Sequence, residues 1–479
     1  MKKLKMLFFF ISLVSITHAT DIQVSQVEYV HSDDPEFIRG INVTISWKNS
    51  WHNDRNHDAA WVFFKFVSKN GGSRHAYLAP GSAQQNWKSR AATPDAQLQV
   101  AQDGTGIMVS PSDTYRGELS YRLFIALDTA RLNERYVNYL NNVTIEGYGI
   151  EMVYIPEGSF TLGDPDEAAL KYGAFYASDD NGEVSGLFKV EKENEPINVG
   201  PNKGSLYYQA EDAIYQGDQK GPIPAAFPKG VGGFYLMKYE VSQGIYADFL
   251  NTLSSQMASV RYIGGTPEYA TVGGTIVLEG DHFVAKSPSE RMVFWHWDDM
   301  MAFTDWAALR PYTELEYTKA ARGTGKPQAH EMPWNTTDDA KMLRRINAKT
   351  HRMEMPEGYD ESMLNENNRG EFGASHYWVM DLGGSMWEKV ITVGDSVGRS
   401  FDGQHGDGNI SYYGMANVEH WPSGYGESFG YGYRGGGYYG KAHISNFNPY
   451  SPIAYRLYGA WSGGPRNAAY GYRAARTLK

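Results

Sequence analysis

A few stretches of the chain carry side chains able to do acid–base or metal chemistry. Residues 51–58 hold His52, Asp54, His57 and Asp58, a set that could ligate a metal or form a solvated polar loop. Spacing alone does not define a ligand set, and the loop weighs more. Asp298 and Asp299 are adjacent carboxylates, but neighbours on a helix point about 100° apart, so one substrate would not meet both. His296, between Trp295 and Trp297, could serve as a base or pack as a core histidine, and packing weighs more. Glu314 and Glu316 open a helical window, where an acidic first turn suits the helix dipole. No nucleophile–base–orienter set emerges. The 479 residues include no cysteine, which excludes disulfides, thiolate zinc sites, a cysteine nucleophile and a lipid carried on cysteine.

The elements that must position these residues fall into two parts. In residues 20–146 the signals are strands. Residues 43–47, 97–100 and 121–127 alternate in polarity, and residues 61–67 form a denser apolar run. Turn clusters at 70–73 and 103–106 separate them. Short strands with such punctuation predict an immunoglobulin-like β-sandwich. Residues 147–479 mix helical windows with long Gly- and Tyr-rich stretches. Helices are expected over 243–253, over 299–309, and over 313–322, where Thr313 and Glu316 form a capping box. The 52 glycines and 34 tyrosines indicate irregular segments pinned by rings.

Lys2, Lys3 and Lys5 precede an apolar run over residues 6–16 and a small-residue site ending at Ala19. This reads as a signal peptide over residues 1–19; the run is too short for the ~20 residues of a membrane span. The mature protein is expected to be exported, to the periplasm or the cell surface, with no transmembrane segment. The formal net charge of −11 argues against nucleic acid as a partner, which would call for a basic face.

Five motifs then occur in a fixed order. Residues 152–163 contain Ile155-Pro156-Glu157-Gly158, and residues 234–242 contain Met237-Lys238-Tyr239-Glu240. Residues 310–323 end in Ala320-Ala321-Arg322-Gly323, and residues 380–388 contain Gly383-Gly384-Ser385-Met386-Trp387-Glu388. The last pair is Arg434-Gly435-Gly436-Gly437 with Gly471-Tyr472-Arg473-Ala474-Ala475-Arg476. Over about residues 147–479 the chain resembles the formylglycine-generating enzyme family, also called the sulfatase-modifying-factor family. The resemblance implies an α+β protein, in which the family's irregular C-type-lectin-like fold follows the β-sandwich. Residues 373–377, Gly394-Asp395 and residues 405–408 resemble an exported Bacteroidota subgroup, related to lipoproteins of gliding motility and type IX secretion.

The same resemblance implies what chemistry to look for. The family's oxidases bind copper through a cysteine pair near the C-terminus, and Cu(I) calls for such soft ligands. Here the matching stretch, residues 451–458, has none, and Thr304 stands where relatives often carry cysteine. No copper is expected. A sister branch with non-haem iron uses a His-rich helical bundle, which the β-type N-terminal part does not offer. Structural calcium is the metal the resemblance suggests, with Ser385 and Glu388 at one site and Asn347 with Asp360 or Glu361 at another. A serine hydroxyl is a poorer Ca²⁺ ligand than the usual Asn amide oxygen. Near the C-terminus, Tyr433, Arg434, Tyr455, Arg456, Trp461 and Arg473 are of the types enriched at binding hot spots, and are the candidate ligand-binding residues. Their alternative role is to pin irregular loops. The expected function is binding or assembly at the cell envelope, with a protein or glycan partner and no catalysis. The alternatives are an enzyme with a cysteine-free oxidative route and a carbohydrate-binding protein.

Overall fold

The computed structural model describes residues 22–30, 39–69, 71–131, 143–209, 213–334, 342–347, 353–422, 429–437, 451–464, 466 and 468–478. The expected signal peptide lies outside these residues. The protein is a mixed α/β structure, mostly sheet, with few helices.

The first nine strands used here are β1 (Gln23–Val30), β2 (Gly40–His52), β3 (Asp58–Ser68), β4 (Ser73–Ala76), β5 (Gln84–Lys88), β6 (Ala96–Val100), β7 (Ile107–Pro111), β8 (Tyr115–Ala126) and β9 (Val143–Ile155). They are followed by β10 (Phe234–Met237), β11 (Arg310–Pro311), β12 (Trp387–Ile391), β13 (Tyr431–Arg434), β14 (Tyr470–Gly471) and β15 (Ala474–Arg476). Three helices matter for the site: α1 (Gln243–Asn251), α2 (Trp297–Trp306) and α3 (Glu314–Arg322).

Strands β1, β2, β8 and β5 form one sheet in that order. A second sheet of eight strands runs β11-β15-β10-β9-β3-β7-β6, with β4 also pairing β3. Between the two lies an apolar layer that includes Ile41, Val43 and Ile45 from β2, Val62 and Phe64 from β3, and Leu123 and Ile125 from β8. Every second residue points inward, which is the alternation seen in the sequence. Strand β3 is denser because both its faces are buried. Its Trp61 and Phe63 enter a different core, with Phe249 of α1 and Phe303 and Trp306 of α2.

Strand β9 joins the two halves of the chain. Residues Val143–Val153 pair antiparallel with β3, and Met152–Ile155 pair with β10. The expected break between residues 146 and 147 therefore falls inside a strand, and one sheet crosses it. Trp61 Nε1 reinforces the junction by donating to the Ala307 carbonyl at 2.9 Å.

The helices follow their end signals. Helix α1 starts after Ser242, whose Oγ accepts from the Ile245 amide. Helix α3 has the expected capping box, Thr313 accepting from the Glu316 amide and Glu316 from the Thr313 amide. Helix α2 begins two residues before the expected start, because His296 caps it and Asp299 closes the box from the third helical position.

Candidate functional site

Strands β13, β12 and β14 form a small three-stranded sheet, antiparallel on one side of β12 and parallel on the other. The two-residue period of a strand gives this sheet two different faces. Glu388 pairs across from Arg434 on one face, and Lys389 pairs across from Tyr433 on the other.

On the Lys389 face the side chains are aromatic. The Nζ lies 5.1 Å from the Tyr431 ring centroid, 5.6 Å from Tyr433 and 5.7 Å from Tyr470. Lys389 is fully buried and its Nζ has no hydrogen-bond partner. Burial pushes its pKa down to about 7, and Arg466 adds to the effect against Asp299 and Asp298. The rings continue outward. Tyr433 packs on Trp461 at 5.5 Å, and Trp461, Tyr458 and Tyr215 form a triangle of edge and tilted contacts at 5.7–5.8 Å. Trp461 and Tyr458 are half-buried, and Tyr215 is exposed. Gly432 permits this arrangement: a Cβ there would run into the Gly459 carbonyl, so only glycine lets the loop that carries Tyr458 and Trp461 lie against β13.

The opposite face is ionic. Arg473 donates to both oxygens of Glu388, and Tyr312 donates to Oε2. Nearby, Glu314 accepts from Arg456 Nε at 2.8 Å, Arg456 Nη2 at 3.1 Å and the Val393 amide at 2.8 Å. Thr392 Oγ1 and Arg434 Nη1 also donate to it. Burial pushes the Glu314 carboxyl up, but Arg456, Arg434 and the Val393 amide outweigh it and hold it below the usual range.

The six candidate ligand-binding residues thus separate. Arg434, Arg456 and Arg473 are buried with carboxylate partners. Tyr433 and Trp461 meet in the aromatic array. Tyr455 lies in another cluster, stacked on Tyr172 at 4.2 Å, with its hydroxyl 2.9 Å from His330 Nδ1. Sequence reasoning missed Lys389 and Tyr215. The available signal for Lys389 was a lysine directly before the apolar pair Val390-Ile391, two positions after Trp387.

The residues suggested for calcium each have other partners. Asn347 Nδ2 donates to Glu354 at 2.6 Å, and Asp360 caps a short turn by accepting from the Ser362 amide. Ser385 Oγ donates to Glu240 Oε2 at 3.1 Å. Glu361 is turned toward Lys238 and Tyr239. Both oxygens of Glu388 are taken by Arg473 and Tyr312, so a guanidinium stands where a Ca²⁺ would need that carboxylate, and Glu388 does not fit a Ca²⁺ ligand shell. Among the described residues, no group of three or more His, Asp or Glu stands where it could hold a metal. Glu240 carries a pKa pushed up to about 8 by burial and by Glu388, and its Oε1 has no hydrogen-bond partner, as suits a neutral acid.

The other chemistry-bearing stretches resolve similarly. Asp58 accepts from Trp47 Nε1, Ser50 Oγ and the Trp51 amide, while His57 turns to Tyr235 and His52 to the Pro111 carbonyl. Asp299 bonds Arg261 and Arg466, and Asp298 is half-exposed. Thr304 Oγ1 donates to the Met300 carbonyl or Tyr472 hydroxyl.

A sheet-rich, cysteine-free domain with few helices, ionic inside and aromatic toward its C-terminal loops, is the class that the fold and site define. Residues 184–478 match the family described as the sulfatase-modifying factor enzyme 1-like domain. The match covers more than half of the chain, and the protein belongs to this family. It starts downstream of β9, so the first of the five motifs lies before it. No curated protein matches the chain. Among the described residues, no helix is long and apolar enough to cross a membrane.

Proposed function

We propose that this protein is an exported, non-catalytic member of the sulfatase-modifying-factor family that works in binding or assembly at the cell envelope, in connection with gliding motility or type IX secretion. Its family domain is then of the C-type-lectin-like type, and the N-terminal strands are an immunoglobulin-like sandwich built onto it. The observation that carries this reading is the absence of any cysteine from the full sequence. Copper-dependent conversion of a peptide cysteine to an aldehyde needs soft thiolate ligands, and none is available. The half-exposed array of Tyr215, Tyr458 and Trp461 is the binding face, made of the residue types that dominate interface energetics.

The test has two arms. Purified protein, copper and oxygen are given a cysteine-containing sulfatase peptide, and aldehyde is read by hydrazide labelling; any catalytic turnover sinks the reading. Co-sedimentation with isolated envelopes is then compared for wild type and Trp461→Ala, and the variant is expected to bind about tenfold or more weakly, the loss of one hot-spot ring.

Carbohydrate binding is the second reading. Tyr412 and Tyr413, 70% and 72% exposed and set edge to face at 5.6 Å, favour it. Rings held in water in this way offer flat faces to a pyranose. A glycan array with no hits removes it.

A further inference from the structure

A small cavity opens to solvent where the N-terminal strands meet the loop at residues 405–409. Phe66 of β3 and His75 of β4 form its buried wall, and Asn409 faces them from the loop. Arg74 of β4 and Arg131, in the turn after β8, are the exposed residues of the lining. Gly408 lets the loop lie this close, since a Cβ there would stand 1.9 Å from His75 Nδ1. The cavity measures about 80 Å³. At about 10–15 Å³ for each water, it holds several waters or one small polyatomic group.

The lining is cationic. His75 carries no charge: burial, and then Lys65, push its pKa well below the usual value. Its ring nitrogens are both engaged, Nδ1 at 3.0 Å from Lys65 Nζ and Nε2 at 2.6 Å from the Thr105 carbonyl. Two arginines against Asp128 leave the lining net positive, in a chain whose formal net charge is −11. Arg131 is held from three sides. Its Nη1 donates to the Asp103 carbonyl at 2.7 Å, its Nε lies 3.3 Å from Asp128, and its guanidinium sits 4.6 Å from the Tyr77 ring centroid. Its Nη2 has no acceptor among the described residues, and the Arg74 guanidinium has none at all among them. Asn409 is fixed too. Its Oδ1 accepts from the His75 amide at 3.0 Å, and its Nδ2 donates to the Tyr77 hydroxyl at 3.1 Å, which leaves one N–H of that amide over.

We propose that this cavity binds one oxyanion group, a carboxylate, sulfate or phosphate at the end of a larger ligand. The guanidinium fork matches the oxygens of such a group, and its charge relieves the repulsion of two like charges at one small opening. The volume admits the anionic group alone, so the rest of the ligand lies outside in solvent. Both arginines come from the N-terminal strands and Asn409 from the family domain, so the site is made only when the two are joined. It shares no residue with the aromatic face of Tyr215, Tyr458 and Trp461 and does not depend on that reading.

The experiment uses the full chain. Sodium acetate, sodium sulfate and sodium phosphate are titrated separately by calorimetry, with ionic strength held constant by sodium chloride. Saturable binding of at least one is expected, and the tightest of the three names the group. Arg74→Gln should weaken it about tenfold or more, the loss of a charge-assisted hydrogen bond. Arg90→Gln makes the same charge change at an exposed arginine outside the cavity and should leave it unaltered. Phenylglyoxal labelling mapped by mass spectrometry reads the site directly. The bound anion should protect Arg74 and Arg131 but not Arg90. No saturable binding of any of the three overturns the proposal, as does an equal loss in both variants or equal protection of Arg74 and Arg90. Without anion, Arg74→Gln should keep the wild-type thermal midpoint. A lowered midpoint means that Arg74 serves the fold, and also overturns the proposal.

Discussion

Glu314→Gln is the most informative single change in the ionic core. The Glu314 carboxylate is fully buried and receives five donors: Arg456 Nε and Nη2, Arg434 Nη1, Thr392 Oγ1 and the Val393 amide. Glutamine keeps the shape but replaces one acceptor oxygen with an NH₂ group. Whichever way the amide turns, that NH₂ faces at least two donors. Arg434 and Arg456 also lose their only carboxylate partner among the described residues and remain buried. Removing one partner of a buried pair costs about 3–5 kcal/mol, and two stranded guanidinium groups place this variant at the upper end. The assay is equilibrium urea unfolding followed by tryptophan fluorescence. The pH dependence gives a second signature. Glu314 has a folded pKa held below the unfolded value, so its contribution is complete above about pH 4.3 and is lost as pH falls through the folded value. The gap between wild type and variant should therefore close at low pH. A loss under about 1 kcal/mol at neutral pH, or a gap that ignores pH, would refute the argument.

Three further outcomes are expected. Gly432→Ala drives a methyl group into the Gly459 carbonyl and should destabilise by about 1–3 kcal/mol or more; an unchanged urea midpoint counts against the close approach of that loop to β13. His57 is held neutral down to about pH 4, first by burial and then by His52, whereas the unfolded chain takes up a proton near pH 6.5. Its contribution is complete above pH 6.5 and lost toward pH 4, so His57→Gln should flatten the pH slope of stability in that window by at most one proton; an identical slope refutes the assignment. A chain starting at residue 157 lacks β3 and β9, exposes Phe249 and Trp306 of the larger core, and should show no cooperative unfolding transition; a sharp transition would show that the family domain stands alone.

Local signals in the sequence carried much of the secondary structure. The alternation in β2, β6 and β8, the start of α1 and the capping box of α3 are properties of neighbouring residues, and they appear where expected. The run of motifs marked the family domain for the same reason, being an ordered pattern along the chain. What was not legible is long-range. The boundary at residue 147 looked like a composition change, but β9 passes through it because one end pairs with β3 and the other with β10. The Tyr- and Arg-rich C-terminal stretch could not declare which of its side chains face solvent. Arg456 meets a glutamate 142 positions earlier, and Arg473 one 85 positions earlier. No periodicity encodes such a pairing. For the same reason the arginine partner of Glu388 was not visible, since it comes from the segment between β14 and β15, 85 positions later.

These long-range pairs explain how an irregular fold without disulfides keeps its register. Arg476 of β15 reaches Asp103 in the turn before β7, at 2.6 and 2.8 Å, and its guanidinium lies 4.2 Å from the Trp61 ring centroid. Lys65 of β3 donates to the carbonyls of Trp306 and Gly408 and to His75 Nδ1. Each tie fixes one segment against another far away in sequence, as a disulfide would. The energetics differ. A buried ion pair recovers little more than its desolvation cost, so it adds specificity more than stability, and most of the stability must come from the two apolar cores that share β3. Mispairing, however, strands a charge and costs several kcal/mol, which penalises every wrong register. The arginines of the C-terminal motifs thus serve the fold from within. That leaves the half-buried Tyr458 and Trp461 rings, with the exposed Tyr215, as the part of this face least committed to holding the chain together.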